Sequence, residues 1–253
     1  MILFKMFFGF IVCVFVAYRL PSIIIFFGLF VQFIRWKIVD LKTAIYNKKH
    51  GIVIFRPFGV KMFCGDQGDG KTIGMVWYLE RLRKKYPDAH IYTNFNYEHQ
   101  TGALNSLNDL LVYRNGQKGV VFAIDEIQNE FSSAASKDFP ESLLTEVTMQ
   151  RKQKMTILCS SQVFTRVAKP LREQCYETID CRTFFDRWTR LRSYKSSDYN
   201  RYIDSNNFDN KRKIPKLWKR SFIQTDSLRG LYDTYQKVER LSRQGFVPKK
   251  YVD

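Results

Sequence analysis

The chain has 253 residues, with 41 Lys and Arg against 24 Asp and Glu, and a formal net charge of +17. Apolar residues make up 45% of it, which excludes a globally disordered chain, and 13 Gly with 7 Pro exclude a collagen-like one. The charge predicts a polyanionic partner: nucleic acid, anionic lipid or both. The net charge alone does not distinguish them, so the position of the cations along the chain matters.

The first apolar segment, 6–34, predicts a membrane anchor within residues 1–36. It holds 19 Ile, Leu, Phe or Val and one charge, Arg19. Their insertion energy, at about −0.3 to −0.6 kcal/mol each, outweighs the cost of one Arg at roughly +3 kcal/mol. Arg19-Leu20-Pro21 could break the segment into two pieces, 6–18 and 20–34. Each piece is shorter than the ~20 residues of a full span, so one span plus an interfacial segment is favoured over a short hairpin of two spans. A cleaved signal peptide is the alternative, but no small-residue cleavage site follows.

The segment after the anchor, 37–57, reads as a basic juxtamembrane linker. Its cations, together with Arg35, outnumber the single opposing Asp40. By the positive-inside rule, everything after residue 35 is expected in the cytoplasm, against the inner membrane of the cell. Five Cys, at 13, 64, 159, 175 and 181, are expected to be reduced core residues, and three scattered His give no metal-ligand spacing.

A nucleotide site is predicted next, at the start of an α/β core over 58–185. A short strand, 60–64, and a helix, 73–85, flank a G-x-x-x-x-G-K-T loop. In such a loop glycines let backbone N–H groups face phosphates, Lys71 would reach the β- and γ-phosphates of ATP, and Thr72 would hold Mg²⁺. The loop residues are Gly65, Asp66, Gln67, Gly68, Asp69, Gly70, Lys71 and Thr72.

A second carboxylate motif follows the apolar strand 119–124. Asp125 is the expected Mg²⁺ ligand, and Glu126 is the expected general base that polarises the attacking water. A further strand, 156–162, ends in Gln162, which would sense the γ-phosphate or position water, since ligands lie at the carboxyl ends of parallel strands.

Other elements complete the predicted core. Strands are predicted at 90–97 and 176–185, and helices at 104–113, 141–153 and 167–174. Strands alternating with helices indicate an α/β sheet covered on both faces. With strand 90–97 between the two nucleotide motifs, we expect a RecA-like P-loop NTPase with a mainly parallel sheet rather than a Ras-like one.

Five motifs resemble those of the zonular-occludens-toxin-like assembly ATPases of filamentous phages, within the FtsK/HerA group of DNA motors. They cover roughly 58–185. The nucleotide-binding motifs are shared by many ATPases, so the Thr-Asn strand and the order Arg, Gln, Arg along the chain are what make the resemblance specific to this family. Family members typically carry the membrane span after the ATPase domain, whereas here it comes first. The motifs are Gly65–Thr72, Tyr92-Thr93-Asn94-Phe95, Ile124-Asp125-Glu126, Gln150-Arg151-Lys152, and Ser160-Ser161-Gln162 with Arg172 downstream.

The resemblance implies a ring of identical subunits, such as a hexamer, in which an Arg of one subunit completes the site of its neighbour. Charge on the γ-phosphoryl oxygens requires such a cation. Arg151, Arg166 and Arg172 are the candidates.

The last segment, 186–253, is basic and aromatic. From 182 onward there are 18 Lys and Arg, 8 Asp and Glu, and 13 aromatics. Cations can neutralise phosphates while rings stack on unpaired bases, but a solvated charged face over an aromatic core and an anionic lipid surface are also open. Lys211-Arg212-Lys213 with Lys216, Lys219 and Arg220 forms the densest patch, and 228–243 could be a helix.

Together these features predict a membrane-anchored, Mg²⁺-dependent ATPase that drives phage assembly and extrusion. It would move single-stranded DNA, or coat proteins around it, through the envelope with other pore proteins. The alternatives are a nucleotide-binding scaffold with little turnover, and a packaging or conjugative motor acting on double-stranded DNA.

Overall fold

The computed structural model describes residues 2–134, 140–204 and 214–233, with the backbone alone for residues 2–21, 23 and 204. The chain divides into two compact units, Met1–Val53 and Ile54–Asp253. The predicted Lys211-Arg212-Lys213 cluster and the larger part of the predicted helix 228–243 lie outside the described residues.

The first unit is one helix, α1, over Ile2–Lys49. It continues through Arg19-Leu20-Pro21, so the break that this proline could introduce does not occur: a proline removes one main-chain hydrogen bond, and the helix continues on both sides of it. The predicted boundary at 36/37 falls inside this helix. In the part of the chain that the structure describes, no helix has the length and apolar content needed to cross a bilayer. Much of the predicted anchor, up to residue 21 and at 23, lies outside the described side chains.

The second unit is built on an eight-stranded sheet. In chain order its strands are β1 (Gly59–Cys64), β2 (His90–Thr93), β3 (Gly102–Ala103), β4 (Val120–Ile124), β5 (Met155–Ser161), β6 (Cys175–Phe184), β7 (Trp188–Lys195) and β8 (Lys216–Ile223). Its helices are α2 (Lys71–Lys85), α3 (Asp109–Val112), α4 (Glu141–Thr148), α5 (Lys169–Glu173), α6 (Ser196–Asp204) and α7 (Asp226–Arg229).

The strand order is β3-β2-β4-β5-β1-β6-β7-β8. The first six strands in this order, from β3 across to β6, pair in parallel. Strands β7 and β8 extend the sheet beyond β6 as antiparallel strands. The predicted mainly parallel sheet is therefore confirmed. Strand β5 lies between β1 and β4, so the polar residues that follow these three strands meet at one edge.

Alternation along the central strands gives the sheet two apolar faces. Val60 and Met62 of β1 pack into a core with α4, α5 and α6, whereas Phe63 packs on the opposite face with α2. Both faces are covered, as the near-continuous apolar runs predict. Four of the five cysteines, Cys64, Cys159, Cys175 and Cys181, are buried free thiols, as expected for core residues.

Several predicted elements have other bounds. Strand 90–97 ends at Thr93, where the Thr93 hydroxyl donates to the Phe95 carbonyl and the chain turns. The helix predicted over 104–113 shrinks to α3, because the Asp109 carboxylate accepts the N–H groups of Asn105 and Ser106 in a turn. Strands β7 and β8, which lie after residue 185, continue the core sheet across the predicted boundary at 185/186.

Candidate nucleotide site

The Gly65–Thr72 loop joins the end of β1 to the start of α2. Gly68 and Gly70 have φ of +87° and +77°, the left-handed region that glycine adopts without a steric penalty. A Cβ on Gly70 would also lie 2.5 Å from the Thr183 hydroxyl. The loop therefore curls against β6, and the N–H groups at the start of α2 face outward for an anion.

Acidic side chains stabilise this loop from within. The Asp69 carboxylate accepts the Asp66 N–H at 2.9 Å, and the Asp69 N–H donates to the Asp66 carbonyl at 3.1 Å. The Lys71 ammonium donates to the same carbonyl at 3.2 Å. Lys71 is thus held by the loop itself, and a phosphate would replace a neutral oxygen as its partner.

Thr72 and Asp125 meet across the sheet edge. The Thr72 hydroxyl donates to the two Asp125 carboxylate oxygens at 3.2 and 3.0 Å, and the Ser160 hydroxyl also donates to that carboxylate. Burial raises the pKa of Asp125, while these hydrogen bonds act in the opposite direction. A hydroxyl and a carboxylate side by side are hard oxygen ligands of the kind that Mg²⁺ takes.

Asn94 fixes the main chain at Asp125. Its side-chain oxygen accepts the Asp125 N–H at 2.7 Å, and its amide donates to the Asp125 carbonyl at 3.1 Å. Asn94 follows β2, which pairs with β4 directly before Asp125. The Asn of the Thr-Asn motif therefore has a structural role that its residue type explains, since a short side-chain amide can donate to a main-chain carbonyl and accept from the adjacent N–H at the same time.

Glu126 stands in the left-handed region at φ +52°, which is uncommon for a residue with a side chain. Its N–H donates to the Ser160 hydroxyl at 2.9 Å, and its carboxylate accepts a hydrogen bond from Gln128. Ser160 thus contacts both acidic residues of the motif, accepting from one and donating to the other. The contact of Gln128 was not predicted, because this residue belongs to none of the motifs. Ser160 is part of the Ser160-Ser161-Gln162 motif, but its bridging role depends on where β4 and β5 end in the folded chain.

Gln162 lies on the same edge of the sheet as the loop. It follows β5 and lines a cavity of about 760 Å³ together with Asp66, Asp69 and Arg182. Arg182, near the C-terminal end of β6, is a cation beside the loop that belongs to none of the motifs and was not predicted.

The predicted arginines fall in different places. The Arg151 guanidinium packs on the ring of Phe58, 5.7 Å from its centroid. Phe58 directly precedes β1, and the loop follows the other end of that strand. The length of β1, about 17 Å, therefore separates Arg151 from the loop. Arg172 of α5 lines a cavity with Cys175, and its guanidinium lies 5.9 Å from the Phe164 ring, but among the described residues it does not line either cavity beside the loop. Arg166 lies exposed in a short 3-10 turn after β5. The fold brings neither Arg151 nor Arg172 to the loop of the same chain.

Residues from β6 to α7 form a second wall of the site. The Thr183 hydroxyl donates to the Asp69 carbonyl at 3.1 Å and shares a hydrogen bond with Thr189. Buried Gln224 donates to Thr189 at 2.7 Å and accepts from the Arg229 guanidinium at 2.8 and 3.0 Å.

This wall and the loop enclose a cavity of about 360 Å³, lined also by Gly70, Lys71 and Thr72. The size suits a nucleoside beside a phosphate loop. Sequence reasoning missed the wall because its residues are far apart in the chain and form no motif.

The hydrogen-bonded groups at the ends of β1, β4 and β5 decide the class of the fold. The chain has a P-loop NTPase fold. At one sheet edge the fold brings together the Gly-rich loop, the Thr72–Asp125 hydroxyl–carboxylate pair, a second acidic residue and a glutamine.

Comparisons with known proteins show a likeness to solved structures alone. No family model matches the sequence, and neither does any curated protein. The N-terminal domain of zonular occludens toxin from Neisseria meningitidis is 15% identical, with a TM-score of 0.49 over 70% of this chain and 99% of that one. A genome packaging NTPase from Sulfolobus turreted icosahedral virus 2, in complex with sulfate, is 13% identical, with a TM-score of 0.41 over 56% of this chain and 93% of that one. The first bears the name of the family that the motifs resemble.

Proposed function

We propose that this chain is a membrane-anchored ATPase that powers assembly and extrusion of filamentous phage. The observation that carries the ATPase part is the contact between Thr72 and Asp125, with the Thr72 hydroxyl 3.0 Å from the carboxylate. Two residues 53 positions apart meet where a metal–nucleotide complex would bind. The phage part comes from the motif resemblance.

Each site residue has a role in this proposal. The loop N–H groups bind the phosphates, and Lys71 leaves the Asp66 carbonyl for the β- and γ-phosphates. Thr72 and Asp125 would hold Mg²⁺, which supplies charge neutralisation for the phosphate oxygens. Glu126 accepts the proton of the attacking water, and Gln162 orients that water against the γ-phosphate.

The rest of the site would come from a second copy of the chain. Arg151 lies at the opposite end of β1 from the loop, and Arg172 does not line the cavities beside the loop of its own chain, so we propose that either acts across a subunit boundary in a ring. Arg166, exposed after β5, is the third candidate. The ring would sit on the cytoplasmic side of the host inner membrane, held by 6–34, and pass single-stranded DNA or coat proteins to an outer pore.

Phosphate release by the full chain in nanodiscs of neutral lipid tests the ATPase. Lys71→Ala should abolish hydrolysis and keep the protein in the nanodisc, because it removes only the phosphate-binding ammonium. Lys84→Ala is the matched control, since Lys84 is an exposed cation of the same helix outside the site. Undiminished turnover by Lys71→Ala would refute the assignment.

The alternatives give different results in the same assay. A nucleotide-binding scaffold would bind ATP with no turnover, with or without single-stranded DNA. A double-stranded DNA motor would be stimulated by duplex rather than by single strands at the same salt concentration.

A further inference from the structure

A pocket of about 490 Å³ lies on the α2 face of the sheet, away from the nucleotide site. We call it the aromatic pocket. Arg81 of α2, which helps to form it, is ten residues beyond Lys71, about 15 Å along the helix. Its lining consists of Arg56, Pro57, Phe58, Lys61, Trp77, Tyr78, Arg81, Leu82, Lys85, Tyr86, Tyr176, Trp218 and Arg220.

The charge of the aromatic pocket is of one sign. Among the described residues that line it, five are cationic and none is acidic. Lys61 is not available to bind a ligand, because it is buried in an ion pair with Glu177. The other four are exposed and form no ion pair among the described residues, so the rim offers four cations to a polyanion. These are Arg56, Arg81, Lys85 and Arg220.

The walls of the aromatic pocket are rings held in place by other rings. Trp77 stacks on Phe222 with centroids 4.9 Å apart, and the Arg81 guanidinium lies 4.8 Å from the Trp77 ring. Tyr78 and Trp218 are near-parallel, at 17°, with centroids 6.5 Å apart. At that separation neither ring fully covers the face of the other, so both offer surface to a flat, unsaturated group.

We propose that the aromatic pocket binds single-stranded DNA, with one unpaired base against Tyr78 and Trp218 and the flanking phosphates on the rim cations. Rings that accept bases without regard to sequence, surrounded by cations that track a backbone, are the combination that single strands require. Paired bases of a duplex are not free to enter a pocket. An anionic membrane would need the cations but gains little from rings enclosed in a concavity. The choice of polymer rests in part on the proposed function.

The test uses fluorescence anisotropy of a labelled oligothymidylate of about 16 nucleotides with the full chain in neutral-lipid nanodiscs. Arg81→Ala with Arg220→Ala should weaken binding about ten-fold or more, and should reduce the salt dependence of log K by about 0.7 for each lost phosphate contact. Lys84→Ala with Lys219→Ala is the matched control. It removes the same charge from α2 and β8 outside the pocket, and should leave affinity close to that of the unmodified chain.

A second variant tests the base contact. Trp218→Leu keeps an apolar side chain but removes the ring, and it should weaken binding about ten-fold without changing the salt dependence. The proposal is wrong if the Arg81 and Arg220 pair behaves like its control, or if duplex DNA competes as well as single strands. It is also wrong if that pair abolishes binding to anionic vesicles but leaves oligothymidylate binding intact.

Turnover of ATP is measured on the same samples. Intact hydrolysis with lost oligothymidylate binding in the Arg81 and Arg220 pair supports the aromatic pocket. A chain that binds oligothymidylate through these residues but hydrolyses no ATP would refute the proposed ATPase and leave the pocket assignment standing.

Discussion

The side chain of Asn94 holds the main chain of Asp125 on both sides, with hydrogen bonds of 2.7 Å to its N–H and 3.1 Å to its carbonyl. Asp125 therefore cannot shift along its strand without breaking both bonds. The predicted metal ligand is positioned by a residue that follows a different strand, 31 positions away.

Replacement of Asn94 should separate catalysis from nucleotide binding. Asn94→Ala leaves an N–H and a carbonyl of a half-buried residue without partners, so we expect a loss of about 1–3 kcal/mol in stability. A displacement of Asp125 by even 1 Å should lower kcat by up to about 100-fold, with a smaller effect on nucleotide affinity. Thermal unfolding and steady-state hydrolysis measure the two. Asn105→Ala, at an exposed position, should change neither; an Asn94→Ala chain with full kcat would contradict this role.

Gly70 and Gly68 allow steric clash to be separated from backbone strain. Gly68→Ala meets no atom within 4 Å, so only its positive φ should cost, about 1–2 kcal/mol. Gly70→Ala meets the same strain plus Thr183, and should be more harmful to both stability and ATP affinity. Adding Thr183→Ala should partly restore Gly70→Ala and do nothing for Gly68→Ala. Equal rescue of the two variants in ATP titrations would exclude the contact as the cause.

Asp125 should lower stability at neutral pH in the absence of metal. Burial raises its pKa in the folded state, so the folded chain binds the proton more tightly than the unfolded one. Stability then falls as the pH rises from about 4, the ordinary value for Asp, through the raised pKa. Asp125→Asn should abolish hydrolysis, raise the neutral-pH Tm in EDTA by about 2–4 °C, and flatten that part of the pH profile. A lower Tm for Asp125→Asn would show that the carboxylate stabilises the fold.

Breaking the buried ion pair of Lys61 and Glu177 should strongly lower the free energy of unfolding, whereas replacing both residues with apolar ones should lower it only a little. The Glu177 carboxylate also accepts from the Ser193 hydroxyl, and the whole group is buried between β1, β6 and β7. Glu177→Gln leaves Lys61 without its counter-charge and should cost about 3–5 kcal/mol, whereas Lys61→Met with Glu177→Leu should recover most of it.

The exposed pair of Lys118 and Asp88 is the control for that buried pair. Lys118→Met should cost less than about 1 kcal/mol, because water screens the interaction. Denaturation midpoints measure all of these variants. A double variant as unstable as Glu177→Gln would show that the charges themselves are needed.

The central strands and the loop were predictable because their causes are local. A short apolar run, a Gly-rich loop and a helix with apolar residues at helical spacing follow one another in β1, the loop and α2. The carboxylates after β4 and the glutamine after β5 were predictable for a similar reason. Each follows an apolar run, and parallel topology then brings the ends of these runs to one edge.

The antiparallel extension was not predictable from such patterns. Strand β7 buries Thr189 and Ser193 together with Leu191, so its inward face is largely polar and shows no apolar alternation. Thr189 is buried because it bonds to Gln224, and Ser193 because it bonds to Glu177. These partners are 35 and 16 residues away, and only the folded chain brings them together.

The two edges of the sheet bear on how copies of this chain can associate. One edge, β3, has two residues, and the other, β8, carries Lys216, Lys219 and Arg220. Very short strands and strands rich in cations are poor templates for the addition of another strand. Two copies are therefore not expected to join at these two edges of the described sheet into one continuous sheet. This protects the chain from fibrous aggregation and leaves loops and helices to form any ring.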